Sequence, residues 1–374
     1  MKIGIVTQPL VNNYGGLLQN FALQNVLKKM GHEPITIDQK VFPPDNLITF
    51  IVENLSVLIH NIVYLFIPNK KALAIPYIRK RRLSQTLPKN TDFINKYINR
   101  TAKVFGIKNT RKISSALNLD AYIVGSDQVW RKGMNSRMFN NFLDFTEGWN
   151  VKRIAYAASF GTDDWQYNAK ETSMIKGLIK QFDAVSVREK SGIELCKSYL
   201  DTNAICVLDP TLLLTATEYD NLLDIQKCDE HQYLFSYLLD ISNEKVAFVR
   251  SNANNIGVDC RICSVNNLSY AHSPSVQEWL SNIKNANCVI CDSFHGMVFS
   301  ILYHKKFIVI SNKARGNTRF VSLLGQLNLE YRLIDERLLE KSYSILSKEI
   351  DWTAVDCKLE SLRVNSLKFI ISNL

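Results

Sequence analysis

Short apolar runs alternate with helical patterns through most of this chain, and that alternation restricts it to parallel α/β architectures. Strand-like runs fall at 2–7, 34–38, 121–124, 153–158, 184–187 and 204–208. A second set falls at 233–238, 260–265, 288–291 and 307–310. Helical patterns intervene at 17–30, closed by Gly31, and at 171–182, 191–200, 244–254, 275–284 and 296–303. The stretch 209–232 carries Pro210 and charged segments without a strand pattern, which places a domain junction there. With 374 residues, 46% of them hydrophobic, the chain suffices for two cores. The expectation is two Rossmann-like domains, 1–215 and 216–374, facing one another across a cleft.

Ligands of open parallel sheets collect at the carboxyl ends of the strands. The polar and glycine-rich segments sit at those ends, among them 12–16, 125–128, 159–161, 186–190, 208–210, 292–296 and 311–316. Of these, Cys291-Asp292-Ser293-Phe294-His295-Gly296 is the most telling, because it sets a histidine between a buried strand and an apolar helix. Asp292 or Ser293 caps that helix. Free N–H groups and a positive partial charge at a helix start suit an anion, so His295 is placed for proton transfer to a phosphate- or carboxylate-bearing substrate.

The formal charge of +10 fits an anionic substrate, an anionic membrane surface or nucleic acid. The cations do not form the aromatic-interleaved stripe of a nucleic-acid binder, so none is expected as partner. They cluster instead at Lys70-Lys71 and Arg79 to Arg82, just after the apolar stretch 47–68. Glu53, Ser56 and His60, with Asn54 and Asn61, gather on one face of that stretch, which reads as an amphipathic helix rather than a membrane span. Its simplest role is packing on the first sheet. The sharper expectation is peripheral contact with the anionic inner leaflet, worth about 1 kcal/mol per surface cation. The start of the sequence reads as a strand and not as a secretory signal, and the eight cysteines lie mostly in apolar runs, so a reducing cytoplasm without disulfides is expected. Cys260/Cys263 and Cys288/Cys291 have zinc-like spacing, but residues three apart on a strand point to opposite faces, so no metal site is expected.

Five motifs occur in a telling order: Asn-Tyr-Gly-Gly-Leu-Leu-Gln-Asn at 13–20, Gly-Ser-Asp-Gln-Val-Trp at 125–130, Val-Arg-Glu-Lys-Ser at 187–191, Leu-Asp-Pro-Thr at 208–211 and Ser-Phe-His-Gly at 293–296. Together they resemble the polysaccharide pyruvyl transferases, over about residues 1–320. The resemblance implies a fold similar to the GT-B glycosyltransferases, phosphoenolpyruvate as donor without a further cofactor, and a sugar hydroxyl pair of a cell-surface glycan or its lipid-linked precursor as acceptor. In family members that read Arg-x-His-Gly the arginine is assigned to the donor. Here that position is Ser293, and another cation must serve.

Ketal formation from an enol ester needs an anion clamp, a proton for the methylene carbon and removal of protons from two hydroxyls. Arginine forks are the best clamps for carboxylate and phosphate, which selects Arg188, with Arg315 and Arg319 as replacements for the missing arginine beside Ser293 on the donor side. His295 is the candidate acid/base and Asp127 a second base or an orienter of an acceptor hydroxyl, its plainer use being a turn cap. Asn13, Tyr14, Gly15, Gly16 and Gln128 are assigned to the acceptor. Trp130, Trp149 and Trp165 suit sugar stacking or core packing. The alternative is a nucleotide-sugar glycosyltransferase on the same scaffold, since fold does not fix function. A non-catalytic glycan-binding protein has less to support it, because binding alone does not call for a histidine and arginines at one place.

Overall fold

A computed structural model describes residues 1–40, 55, 88–134, 137–223, 232–264, 274–312 and 315–374. The amphipathic stretch 47–68 and the basic cluster that follows it lie outside the described residues, apart from Leu55. Within them, no helix is long and apolar enough to cross a membrane.

The first half comprises β1 (Lys2–Val6), α1 (Tyr14–Lys29), β2 (Glu33–Thr36), α2 (Pro88–Tyr97), α3 (Ile107–Ala116), β3 (Ala121–Val124), β4 (Lys152–Ala158), α4 (Ala169–Ile179), β5 (Ala184–Val187), α5 (Lys190–Leu200) and β6 (Ile205–Cys206). Its strands form one sheet in the order β2-β1-β3-β4-β5-β6, with every pair parallel. The second half contains α6 (Ala216–Asp220), β7 (Tyr233–Leu238), α7 (Asn243–Ile256), β8 (Asp259–Ser264), α8 (Val276–Asn285), β9 (Cys288–Cys291), α9 (Phe294–Leu302), β10 (Lys306–Ile310), α10 (Thr318–Leu327), β11 (Leu333–Ile334) and α11 (Trp352–Asn373). Its sheet runs β11-β10-β9-β7-β8, again parallel. This is the α/β, GT-B-like architecture of two Rossmann-like halves. The strands are continuous buried runs because helices cover both faces of each sheet.

Helix α1 starts where Asn13 caps it, its side-chain oxygen accepting from Gly16 N at 3.1 Å. It ends at Met30, and Gly31 turns the chain with φ +82°. Nearly every face of α1 is buried, because it lies between its own sheet and the second half. Its buried amides are satisfied in part: Gln19 donates to Thr7 Oγ1 at 2.8 Å, and Gln24 donates to Thr36 Oγ1 at 2.8 Å and to Asn99 O at 2.7 Å, while Gln19 Oε1 and Asn20 Nδ2 have no partner among the described residues. Tyr14 stacks on Trp279 with ring centroids 5.5 Å apart, so one hydrophobic core runs through both halves.

The final helix returns to the first half. Phe369 packs on Tyr156, Ser366 Oγ accepts from Leu208 N at 2.9 Å, and Arg363 Nε donates to Leu212 O at 2.9 Å. The start of α11 stays on the second half, where Trp352 stacks on His304 and Asp356 bonds its ring, so the helix bridges the two halves. Cys260 and Cys263 lie on β8 and Cys288 and Cys291 on β9, with β7 between the two strands.

Candidate functional site at the junction of the halves

The chain leaves β9 at Cys291 and enters α9 at Phe294, so His295 stands in the first turn of a wholly buried helix. Ser293 is the cap, its hydroxyl accepting from Gly296 N at 3.3 Å. Asp292 turns away from the helix: it accepts from Leu239 N at 2.5 Å and pairs with Lys245 Nζ at 3.0 Å. Opposite stands the start of α1. The imidazole lies against Gly15 so closely that an added Cβ would be 1.9 Å from His295 Nδ1. Only glycine leaves room for the ring.

The ring's other nitrogen faces the first half. His295 Nε2 is 3.7 Å from Asp209 Oδ2, and the same oxygen accepts from Arg188 Nη1 at 2.8 Å and from Ser126 Oγ at 2.6 Å. Arg188 reaches on to Asp127 Oδ1, 3.3 Å from Nη2. Asn13 Nδ2 donates to Asp127 Oδ2 at 3.0 Å, which ties the cap of α1 into the cluster. Asp127 holds a left-handed backbone with φ +74°, and its Oδ1 accepts from Gln128 N at 2.9 Å, so it serves its own turn as well.

From the second half come two more groups. The Phe294 ring has the Arg188 guanidinium 4.6 Å from its centroid and that of Arg319 at 5.8 Å. Arg319 Nη2 donates to Arg315 O at 3.0 Å. The cluster is almost dry, with Arg188 4% exposed and His295 and Arg319 each 6%. Arg188 Nε, Arg319 Nε and His295 Nε2 are buried without a hydrogen-bond partner among the described residues. Unpaired buried donors on cations cost free energy unless an anion completes them.

The charges polarise one another. Burial opposes ionisation of Asp209, but the adjoining His295 ring, Arg188 and the Ser126 hydroxyl outweigh it and hold the carboxyl far below the ordinary range. Asp127 is lowered in the same way, with Arg188, His295 and Arg319 overcoming its burial. Arg188 is pushed up by its two aspartates despite burial. Burial, reinforced by the like charge of Arg188, brings Arg319 down to about 10.

His295, Arg188, Asp127, Asn13, Gly15 and Arg319 are therefore brought to one place. Gly16 supplies the N–H that Asn13 binds. Other candidates stand apart. Arg315 sends its side chain to Asp240, with Nε to Oδ2 at 2.5 Å and Nη2 to Oδ1 at 2.9 Å, leaving its carbonyl to the cluster. Tyr14 spends its hydroxyl on Pro274 O at 2.7 Å and its ring on the core. Gln128 accepts from Arg131 Nη1 at 2.7 Å through Oε1. Trp130 is fully buried, Trp149 packs on Tyr122, and Trp165 stacks on Tyr199. Sequence reasoning gave no role to Asp209, although it quoted the motif that contains it. Glu189, part of the motif 187–191 and given no role by the sequence, is fully buried and accepts from Phe160 N and Gly161 N. The available signal was an acidic residue just past the carboxyl end of a parallel strand.

The halves also touch through backbone. Arg131 Nη1 donates to Arg315 O at 2.7 Å, and Gly316, with φ +84°, lies so close to the Gly161 carbonyl that an added Cβ would be 1.8 Å from its oxygen.

Comparison with known proteins agrees with this picture. MnaA of S. aureus, solved with UDP, aligns at TM-score 0.52 and 11% identity, covering 100% of this chain and 97% of that one. A Listeria monocytogenes protein described as a UDP-N-acetylglucosamine 2-epimerase aligns at TM-score 0.51 and 11% identity, covering 96% and 90%. At such identity the likeness speaks to fold alone. No curated protein matches the sequence significantly. The family model described as polysaccharide pyruvyl transferase matches residues 13–314, from the cap of α1 to the loop after β10 and so across every group of the cluster except Arg319. The chain belongs to the polysaccharide pyruvyl transferase family.

Proposed function

We propose that this protein transfers pyruvate from phosphoenolpyruvate to two hydroxyls of a glycan, releasing phosphate and leaving a cyclic pyruvyl ketal. The observation that carries the reading is the shared carboxylate: Arg188 and His295, from opposite halves, meet on Asp209 Oδ2 with Arg319 beside them. Arg319, which forms no ion pair among the described residues, and the free Nε edge of Arg188 are the cations for the donor's carboxylate and phosphate.

One hydroxyl oxygen attacks the enol carbon while the methylene carbon takes a proton and becomes methyl. Phosphate departs with its bonding electron pair, the second hydroxyl oxygen closes the ring, and the remaining hydroxyl proton leaves with phosphate. His295 moves protons in these steps, and the buried cations stabilise charge on the departing group, a contribution that often dominates catalysis. The acceptor would be a cell-surface polysaccharide unit or its lipid-linked precursor.

The test is incubation with phosphoenolpyruvate and candidate lipid-linked glycans, followed by mass spectrometry of the glycan and measurement of phosphate. Glycan-dependent phosphate release with one pyruvyl group added supports the reading, provided His295→Ala and Arg188→Ala abolish it. Stabilisation by sugar nucleotides with no such release from any glycan would overturn it.

A further inference from the structure

Asp209 sits in none of the roles assigned above, yet every polar atom of its side chain is committed. Oδ1 accepts from Thr211 N at 3.0 Å and from Thr211 Oγ1 at 2.7 Å, which pins the carboxylate to the turn after β6. Oδ2 accepts from Ser126 and Arg188 and faces His295 Nε2 at 3.7 Å. The side chain of Asp209 is fully buried, and it remains an acceptor because two donors hold it ionised. At 3.7 Å the histidine contact is longer than a formed hydrogen bond, and catalytic contacts of this kind tighten when substrate is bound.

The geometry points to Asp209 as the positioning residue for His295. Building on the pyruvyl-transfer reading, we propose that it holds the ring proton on Nε2 and thereby leaves the lone pair of Nδ1 turned towards Gly15 and the start of α1. Two observations make Nδ1 the working atom. Nε2 points at a carboxylate already engaged by Arg188 and Ser126, a place that no hydroxyl of a glycan can share. Nδ1 occupies the space that the absent Cβ of Gly15 leaves open, beside the cap residue Asn13. A hydroxyl reaching the Nδ1 edge of the ring gives its proton to Nδ1, the ring becomes the imidazolium, and Asp209 stabilises that cation from behind. The neighbours that bear on the ring's charge are Asp127 and Asp209 as anions and Arg188 and Arg319 as cations.

The test uses the full chain with 15N-labelled histidine and long-range 1H–15N correlation, with the His295 ring assigned by its disappearance in His295→Ala and spectra recorded above its titration. The expected wild-type ring carries its proton on Nε2. In Asp209→Asn that preference collapses, and kcat for the transfer falls by at least about 100-fold and up to about 10,000-fold, the loss that follows when the carboxylate orienting a catalytic histidine becomes an amide. An Nδ1-protonated ring in the wild type overturns the proposal, as does a folded Asn variant that keeps both tautomer and kcat. If the Asn variant does not fold, the wild-type tautomer decides by itself. Because the tautomer is read without donor or acceptor, failure of the pyruvyl-transfer reading leaves this result standing.

Discussion

Replacing Gly15 with alanine tests whether the imidazole must sit where it does. The added Cβ would lie 1.9 Å from His295 Nδ1, 2.2 Å from Cγ and 2.6 Å from Cε1, whereas ordinary contact begins near 3.4 Å, so the ring must withdraw by about 1.5 Å (3.4 − 1.9). Retreat towards Asp209 offers about 0.9 Å, the difference between the observed 3.7 Å and an ordinary hydrogen bond of about 2.8 Å. The ring must therefore leave its position or force the start of α1 outward. The stability cost is small, because overpacking at about 1–3 kcal/mol is offset by about 1 kcal/mol of helix propensity gained over glycine. The catalytic cost is large, since a misplacement of about 1 Å costs on the order of 100-fold. Glycan-dependent phosphate release and thermal unfolding should then show kcat down at least about 100-fold with a melting temperature within a few degrees of wild type. In a His295→Ala background the same alanine should cost no stability, because the clash is gone, and that double-mutant cycle ties the loss to the pair. A folded Gly15→Ala enzyme with wild-type kcat would refute the argument.

Arg319→Leu should raise KM for phosphoenolpyruvate about 10- to 100-fold, the worth of one or two charge-assisted hydrogen bonds, while the melting temperature holds or rises because a desolvated cation beside Arg188 is removed; an unchanged KM would take Arg319 out of the donor site. Asp144 should respond oppositely to acid from the site aspartates. Burial raises its carboxyl to about 6, and Oδ1 lacks a partner among the described residues, so the folded state holds the proton more tightly than the unfolded chain. The ionised form is thus penalised above about pH 6 and the penalty fades as pH falls towards about 4, so Asp144→Asn should stabilise at neutral pH, by at most about 3 kcal/mol, and confer nothing near pH 4. Denaturant melts at both pH values check the sign.

The strands were legible because a parallel sheet covered on both faces demands unbroken apolar runs, as at Ala121–Val124, Tyr233–Leu238 and Cys288–Cys291. His295 was legible too, since a strand, a capping serine and an apolar helix announce a helix N-terminus. What escaped depends on distant partners. Arg315 and Asp240 are 75 residues apart, and nothing local marks that the guanidinium is spent there instead of at the donor. Asp209 reads as the cap of a Pro-Thr turn, which it is through Oδ1, and only the folded arrangement reveals what Oδ2 holds. The strand Leu333–Ile334 has two residues, too few for a period, and the return of α11 to Tyr156 depends on packing between halves.

Where Gly316 meets the Gly161 carbonyl, two peptide units abut with no side chain between them. Such a joint has no rotamers with which to soften or retune its width. It acts as a mechanical end-stop: along this line the halves can come no closer than contact between main-chain atoms allows. Any side chain added at Gly316 can only push the halves apart, so substitution can loosen this joint and never tighten it.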